Sequence, residues 1–209
     1  MSLDSRNSEN ENSDNKDSDN TDPLTLFAED RQRAWDAQDP SAALCTVANV
    51  NEQGEPELRT LVLRDVDGDL AIFINSTSPK WPHIQQRLAL HTYWPSVQVQ
   101  FRMRMQCHEI EPAVVRDSWR LRPQPPRLMD WLYHERQPQS SPIADRDTLL
   151  NALNELESSD PMEAPPQARG LKLVAYEVER LDLTQANGVH DRRHFTRTSE
   201  GWKSTTLVP

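Results

Sequence analysis

Between Val97 and Cys107 the chain alternates without a break: Val97, Val99, Phe101, Met103, Met105 and Cys107 are separated by Gln98, Gln100, Arg102, Arg104 and Gln106. A period of two over eleven residues predicts a strand with one face on a core and one polar face. Because that polar face carries amides and guanidinium groups, it suits an anionic or strongly hydrogen-bonding neighbour. Two further strands are predicted over Glu57 to Arg64 and Leu70 to Asn75, joined at Asp65-Val66-Asp67-Gly68-Asp69, where Asp-Gly between β-rich runs signals a hairpin. Ser76-Thr77-Ser78-Pro79-Lys80 then opens a run of helical composition to about Leu88, with Ser78 as N-cap and Pro79 at the first helical position.

Around this centre, Pro23 to Gln38 reads as an amphipathic helix that offers Leu24, Leu26, Phe27 and Trp35 for docking and ends at Asp39-Pro40. Ala42 to Val50 is a first strand, closed by a turn at Asn51 to Glu55, and Leu88 to Trp94 is a fourth. Three helices follow Glu109: Pro112 to Arg122, Arg127 to Arg136 beyond the Pro123-Gln124-Pro125-Pro126 break, and Asp145 to Glu157 with Leu149, Leu150, Leu153 and Leu156 on one side. Ser158 to Arg169 is read as a loop. Alternation resumes at Leu171, Leu173 and Ala175, then Val178, and runs to Leu183. Asn187-Gly188 marks a turn, and Val189 to Thr198 and Trp202 to Val208 are the last strands. Short strands on tight turns predict a mainly β (α+β) fold: an antiparallel meander closed into a barrel, with flanking helices and a helical insertion over about 112–157.

Residues 1–22 change the picture only at the edge. They hold seven acids against Arg6 and Lys16, and Met1 and Leu3 are their only apolar side chains, so a disordered acidic tail is expected ahead of one domain over 23–209. The tail accounts for half of the formal net charge of −10. What remains is mildly acidic, which argues against a general nucleic-acid binder but leaves room for a local basic pocket. Without a signal-like stretch or a membrane-length apolar run, a soluble, cytoplasmic protein is expected. Cys45 and Cys107 fall on apolar strand positions and read as buried free thiols.

With five glycines and neither GxGxxG nor GxxxxGK[ST], the sequence offers no Rossmann or P-loop nucleotide site. His190 and His194 have the spacing of a helical metal pair, but the turn at Asn187-Gly188 puts them on a strand, roughly 13 Å apart. No Ser/His/Asp grouping is locally recognisable. The constructive signal is an anion site: a helix N-terminus surrounded by Thr77, Ser78 and Lys80.

Arg59-Thr60-Leu61-Val62-Leu63-Arg64, the hairpin, Ile72-Phe73-Ile74-Asn75, Ser78-Pro79-Lys80, Tyr93-Trp94, Gln100, His190-Asp191-Arg192 and the closing Leu207-Val208-Pro209 follow one another at family spacings. In this the chain resembles the pyridoxamine 5′-phosphate oxidase family of FMN-binding split β-barrels, over about 42–111 and 171–209. The resemblance implies a homodimer holding FMN at the subunit interface. It implies that Arg59, Ser78 and Lys80 hold the phosphate, and that Thr60, Leu61, Val62, Phe73, Ile74 and Asn75 lie along the ribityl chain and ring. Gln100 and Arg192 would reach flavin edges from opposite subunits. Arg64, Arg122 and His190 occupy substrate-side positions, although His190 reads equally well as a strand histidine with no ligand.

By the same resemblance, hydride passes from pyridoxamine or pyridoxine phosphate to flavin N5, and dioxygen reoxidises the flavin. The sequence departs from the family pattern mainly on the substrate side. Gly188 stands where an arginine is expected, no tryptophan lies near Asp182, Pro79 replaces a phosphate-binding arginine, and Ser118 and Pro126 replace a tyrosine and a serine around Arg122. Three readings follow: an FMN-dependent oxidase or a reductase of another small molecule, a non-catalytic flavin- or haem-binding module, and a structural barrel.

Overall fold

The computed structural model of the chain describes residues 21–157 and 163–209. Within them the order is α1 (Pro23–Asp36), β1 (Leu44–Val50), β2 (Pro56–Val62), β3 (Arg64–Val66), β4 (Asp69–Asn75), α2 (Trp81–Ile84), β5 (Arg87–Trp94), β6 (Val99–Glu109), α3 (Pro112–Arg120), α4 (Gln124–Glu135), α5 (Arg146–Glu157), β7 (Ala168–Asp182), β8 (Asp191–Thr198) and β9 (Gly201–Leu207). The expected acidic tail lies outside the described residues except for Thr21 and Asp22, as does 158–162 of the expected loop. Asp22 is the N-cap of α1, its carboxylate accepting from Leu24 N–H at 2.8 Å, with Pro23 at the first helical position.

The long alternating strand forms as expected. Along β6, Val99, Phe101, Met103, Met105 and Cys107 are buried, while the residues between them face out. The strand starts two residues later than predicted because Gln98 takes a left-handed turn conformation (φ 52°). The antiparallel pairs run β2-β1-β5-β6-β7-β4-β3, with β8 on β7 and β9 on β8. This curled, split-barrel sheet is not the meander predicted: β1 skips its hairpin partner's successors to pair with β5, and β4 pairs with β7. Local turns specify hairpins only; the remaining pairings are decided by which strands share the core.

Two irregularities shape the sheet. β7 pairs with β6 along its length, while its other edge pairs first with β4 and then with β8; a bulge at Tyr176, opposite Arg104/Met105, marks the change. The sequence carries its trace in the phase slip from Ala175 to Val178. The second irregularity divides the predicted strand Glu57 to Arg64. Up to Val62 it pairs with β1, and from Arg64 it pairs with β4, at opposite edges of the sheet. The β3–β4 hairpin itself turns as expected on Asp67-Gly68, both at positive φ.

α1 lies against the core. Its buried stripe (Pro23, Phe27, Asp30, Arg31, Ala34) places the Phe27 ring 5.2 Å from Trp94 and 5.1 Å from Phe101, the latter edge-on. Trp35, expected to dock, is exposed at the flank of this stripe in the last turn of the helix. α4 and α5 form a smaller core of Leu128, Leu132 and Leu156, to which Leu149, Ala152 and Leu153 add. Leu150, predicted on that side, is exposed. The chain between β7 and β8 is an eight-residue connection, 183–190, with its turn at Gln185 to Gly188, so β8 begins at Asp191 rather than Val189.

The predicted helix from Ser78 to Leu88 is reduced to the single turn of α2, with Lys80 rather than Ser78 at its N-cap. Asn75 takes over local capping: its Oδ1 accepts from both Thr77 N–H and Thr77 Oγ1, and successive turns then carry the chain to Trp81. From Arg87 the alternating apolar positions Leu88 and Leu90 belong to β5, which ends the helix early.

Arg31 fixes the crossing between β2 and β3. This buried guanidinium donates to Ala42 O, Leu63 O and Asp65 Oδ2, all at 2.8 Å. Arg31→Met leaves two buried carbonyls without donors, and it is expected to lower unfolding free energy by about 2–4 kcal/mol in urea titrations. Arg31→Lys, lacking the planar fork, recovers only part of that loss.

Candidate functional site

The crossing at Leu63 brings the flanking residues of β2 and β3 beside β4, and α3 and α4 stand opposite them. Between the two walls lies a cleft of about 590 Å³. Nine of the sequence-predicted residues line it: Thr60, Leu61, Val62 and Arg64 from the crossing, Phe73, Ile74 and Asn75 from β4, Lys80, and Arg122 from the turn after α3. Phe73 owes its position to Gly170, its partner across β4 and β7: a Cβ there would sit 3.0 Å from the Phe73 ring.

One end of the cleft is cationic. Lys80 is buried and donates to Ser78 Oγ at 2.7 Å; Ser78 is buried as well. Burial, and secondly the Arg59 guanidinium, push the Lys80 ammonium down to about 8, against the opposing pull of the Glu57 carboxylate. Arg59 sits behind the lining on the inner side of β2. One of its Nη atoms donates to Glu57 Oε2 at 2.9 Å, and Asn49 Nδ2 donates to the same oxygen. The Arg59 Nε is buried without a hydrogen-bond partner. Of the anion site expected here the structure brings together the side chains alone, Lys80, Ser78 and Arg59, because a one-turn helix supplies neither a row of free N–H groups nor an appreciable dipole.

The helical wall carries a second ionic group that sequence reasoning missed. Asp130 is buried on α4, paired with Arg122 and accepting from Trp119 Nε1 at 2.9 Å. Burial raises its carboxyl above the usual range, and Arg122 and Trp119 partly offset this. Tyr133 and Gln139 also line the cleft. The Gln139 backbone N–H donates to Thr77 Oγ1 at 3.1 Å, which docks the loop after α4 onto the β4–α2 turn, and its side-chain Oε1 is buried without a partner. The only sequence signal for Gln139 is the polar run Gln139-Ser140-Ser141 after a helix; nothing local marks Asp130.

Of the five predicted residues that do not line the cleft, Arg59 and Ser78 stand next to Lys80, and the other three lie elsewhere. Gln100 Oε1 meets His91 Nε2 at 3.1 Å on the outer face of the sheet. Arg192 on β8 is held by Glu179 through Nε and one Nη, both at 3.1 Å. His190 is exposed in the 183–190 connection and not on a strand. His194 faces Glu177 instead, at 3.2 Å. The polar face of β6 finds its anionic neighbours within the chain, Arg102 pairing with Glu179 and Arg104 with Glu177. Among the described residues there is no cluster of His, Cys, Asp and Glu able to hold a metal, and no helix long and apolar enough to cross a membrane. Cys45 and Cys107 are free and buried, burial pushing both thiols up to about 12.

No protein-family model matches the chain. It is 30% identical over 200 residues to a pyridoxine/pyridoxamine 5′-phosphate oxidase of Ectopseudomonas mendocina, covering 90% of this chain and 89% of that one. A protein of the same name from Anaeromyxobacter dehalogenans is 28% identical, over 90% and 96% of the two chains. Among solved structures, PhzG from Burkholderia lata 383, in complex with tetrahydrophenazine-1-carboxylic acid, superposes with a TM-score of 0.80 at 23% identity over 94% and 95% of the chains. A pyridoxamine 5′-phosphate oxidase-related, FMN-binding protein of Nostoc punctiforme gives 0.69 at 22% identity, over 90% and 96%. The chain therefore belongs to the pyridoxine/pyridoxamine 5′-phosphate oxidase family and has its split-barrel fold.

Proposed function

We propose that the chain is an FMN-dependent oxidoreductase acting on a small ring compound, with the flavin in the cleft of a homodimer. The observation that carries this reading is the cationic end of the cleft: the buried Lys80 ammonium stands in the lining, and behind it lie the buried Ser78 hydroxyl and the partly buried Arg59 guanidinium, whose Nε has no partner among the described residues. Such a set fits a phosphate monoester, whose oxygens accept charge-assisted bonds from each donor. The orphaned Gln139 Oε1 fits an N–H donor of the flavin ring. When bound, FMN supplies a two-electron acceptor at N5 that takes hydride from the substrate and passes the electrons to dioxygen.

The residues of the chain bind and orient. Lys80, Arg59 and Ser78 anchor the phosphate; the backbone of Leu61 and Val62 with Phe73 and Ile74 gives a flat apolar wall; Arg64 and Arg122 face the substrate. Dimerisation is supported by the outer face of β1 and β2, where Leu44 and Val62 are exposed opposite each other and Leu58 is exposed further along the same face of β2. Gln100 and Arg192 lie on the same outer surface, where they would serve the cleft of the other subunit.

FMN titration followed by flavin fluorescence tests the anchor. Arg59→Ala with Lys80→Ala is expected to weaken FMN at least 100-fold and leave riboflavin, which lacks the phosphate, within about threefold. Equal losses for both ligands would place the phosphate elsewhere, and a wild-type protein that binds no FMN would end the oxidoreductase reading. Glu57→Gln frees Arg59 for the ligand and is expected to tighten FMN several-fold.

The same titration has a defined pH dependence. A bound phosphate favours charged Lys80, so its ammonium titrates higher in the complex than the value of about 8 it has without ligand. Below pH 8 Lys80 is charged in both states and makes the affinity no more pH-dependent. Above it binding takes up a proton, and affinity is expected to fall by up to tenfold per pH unit. Lys80→Met should abolish that slope.

A further inference from the structure

The helical wall of the cleft is poor in usable positive charge. Arg122 is the cation that α3 and α4 present to the cleft, and it is already matched by Asp130. Asp130 is not a surface partner that a ligand could displace into water. It is 6% exposed, and Trp119, itself buried, donates to the oxygen that Arg122 also meets. Arg127 stacks over the Trp119 ring at 5.6 Å, closing the wall from behind. On the opposite wall Asp65 is tied to Arg31 at 2.8 Å, whereas Arg64 is exposed and has no ion-pair partner among the described residues. With Arg122 cancelled by Asp130 and Asp65 by Arg31, one positive charge remains on the substrate side. Across the cleft from it, on α4, the Tyr133 hydroxyl has no hydrogen-bond partner among the described residues. Burial and the Asp130 carboxylate raise its phenol above the ordinary value, so it stays a neutral donor.

A phosphate dianion entering this end would meet a fixed carboxylate and a single free guanidinium. Separating Arg122 from Asp130 to serve it would leave Asp130 buried and unpaired, a costly arrangement. We propose that Asp130 is a specificity-determining residue: by holding Arg122 it excludes phosphate esters from the helical wall, and the substrate is a flat ring compound carrying at most one negative charge, held by Arg64 and Tyr133. This inference rests on the FMN reading of the cationic end.

The test compares pyridoxine 5′-phosphate with pyridoxine, two ligands that differ only by the phosphate, by calorimetry on the FMN-loaded protein without oxygen. FMN affinity is measured on the same samples, so loss of the oxidoreductase reading shows there first. The wild type is expected to prefer the phosphate ester less than tenfold. Asp130→Asn keeps an acceptor for Trp119 and removes the charge, and it is expected to raise that preference at least tenfold; a merely structural role would move both ligands together. If the wild type binds neither ligand, pyridoxine 5′-phosphate binding gained in Asp130→Asn carries the support. A wild-type preference above tenfold, or no change in a folded Asp130→Asn or Asp130→Ser variant, overturns the inference.

Discussion

The position of the cleft depends on one buried guanidinium. Between Val62 and Arg64 the chain leaves the edge formed with β1 and joins the edge formed with β4, so Leu63 is the single residue linking the two ends of the open sheet. A peptide crossing between edges cannot use sheet ladders for its carbonyls, and buried carbonyls need donors. Arg31 supplies them to Ala42 and Leu63, and its remaining donor holds Asp65 one residue beyond Arg64. The residues on either side, Thr60 to Val62 and Arg64 to Val66, thereby become adjacent lining of one cleft. Because α1 carries Arg31 and Phe27 on the same stripe, the docking of that helix and the closing of the barrel are one event in packing.

The cleft cations are arranged so that none is buried without some opposing group. Arg59 has Glu57, Arg122 has Asp130, and Lys80 has the Ser78 hydroxyl and a more distant Glu57. The three differ in how freely they can turn to a ligand. Lys80 has no dedicated carboxylate, so a phosphate stabilises its charge and gains nearly all of that interaction. Arg59 keeps an unpartnered Nε while paired, so it can add a ligand without leaving Glu57. Arg122 lies against a carboxylate that is itself buried and fixed by Trp119, and it can leave only at the expense of Asp130.

The local rules that read the sequence well are those whose cause is local. Alternation over 99–107 and the Asp67-Gly68 turn folded as read, because side-chain period and positive φ are decided within a few residues. Ser78-Pro79-Lys80 misled for the same reason: Ser followed by Pro satisfies the N-cap pattern, but Asn75 competes for the turn and the next apolar positions belong to β5. Strand order and the bulge at Tyr176 rest on contacts between distant segments, and the pairing of Arg122 with Asp130 on how the turn after α3 meets α4. Only the slip from Ala175 to Val178 left a mark in the sequence. The cleft residues that were legible came from motif order, whereas Tyr133, Gln139 and Asp130 sit on a helix and loop whose local pattern encodes packing alone.

Gln100 and Arg192 raise the remaining physical question, since both are engaged within their own chain. Arg192 uses Nε and one Nη on Glu179, while its other Nη has only a 3.4 Å approach to Val208 O. A planar guanidinium held by two donors on one carboxylate is oriented and keeps its remaining donors directed elsewhere. Glu179 is buried and shared with Arg102, so Arg192 keeps part of its charge. In the proposed dimer Arg192 therefore need not break its pair to reach a flavin edge: the carboxylate that holds it also aims it. The same reasoning separates it from Arg122, whose partner Asp130 lies inside the cleft rather than behind it, and this difference in where the carboxylate stands decides which arginine can serve an anion.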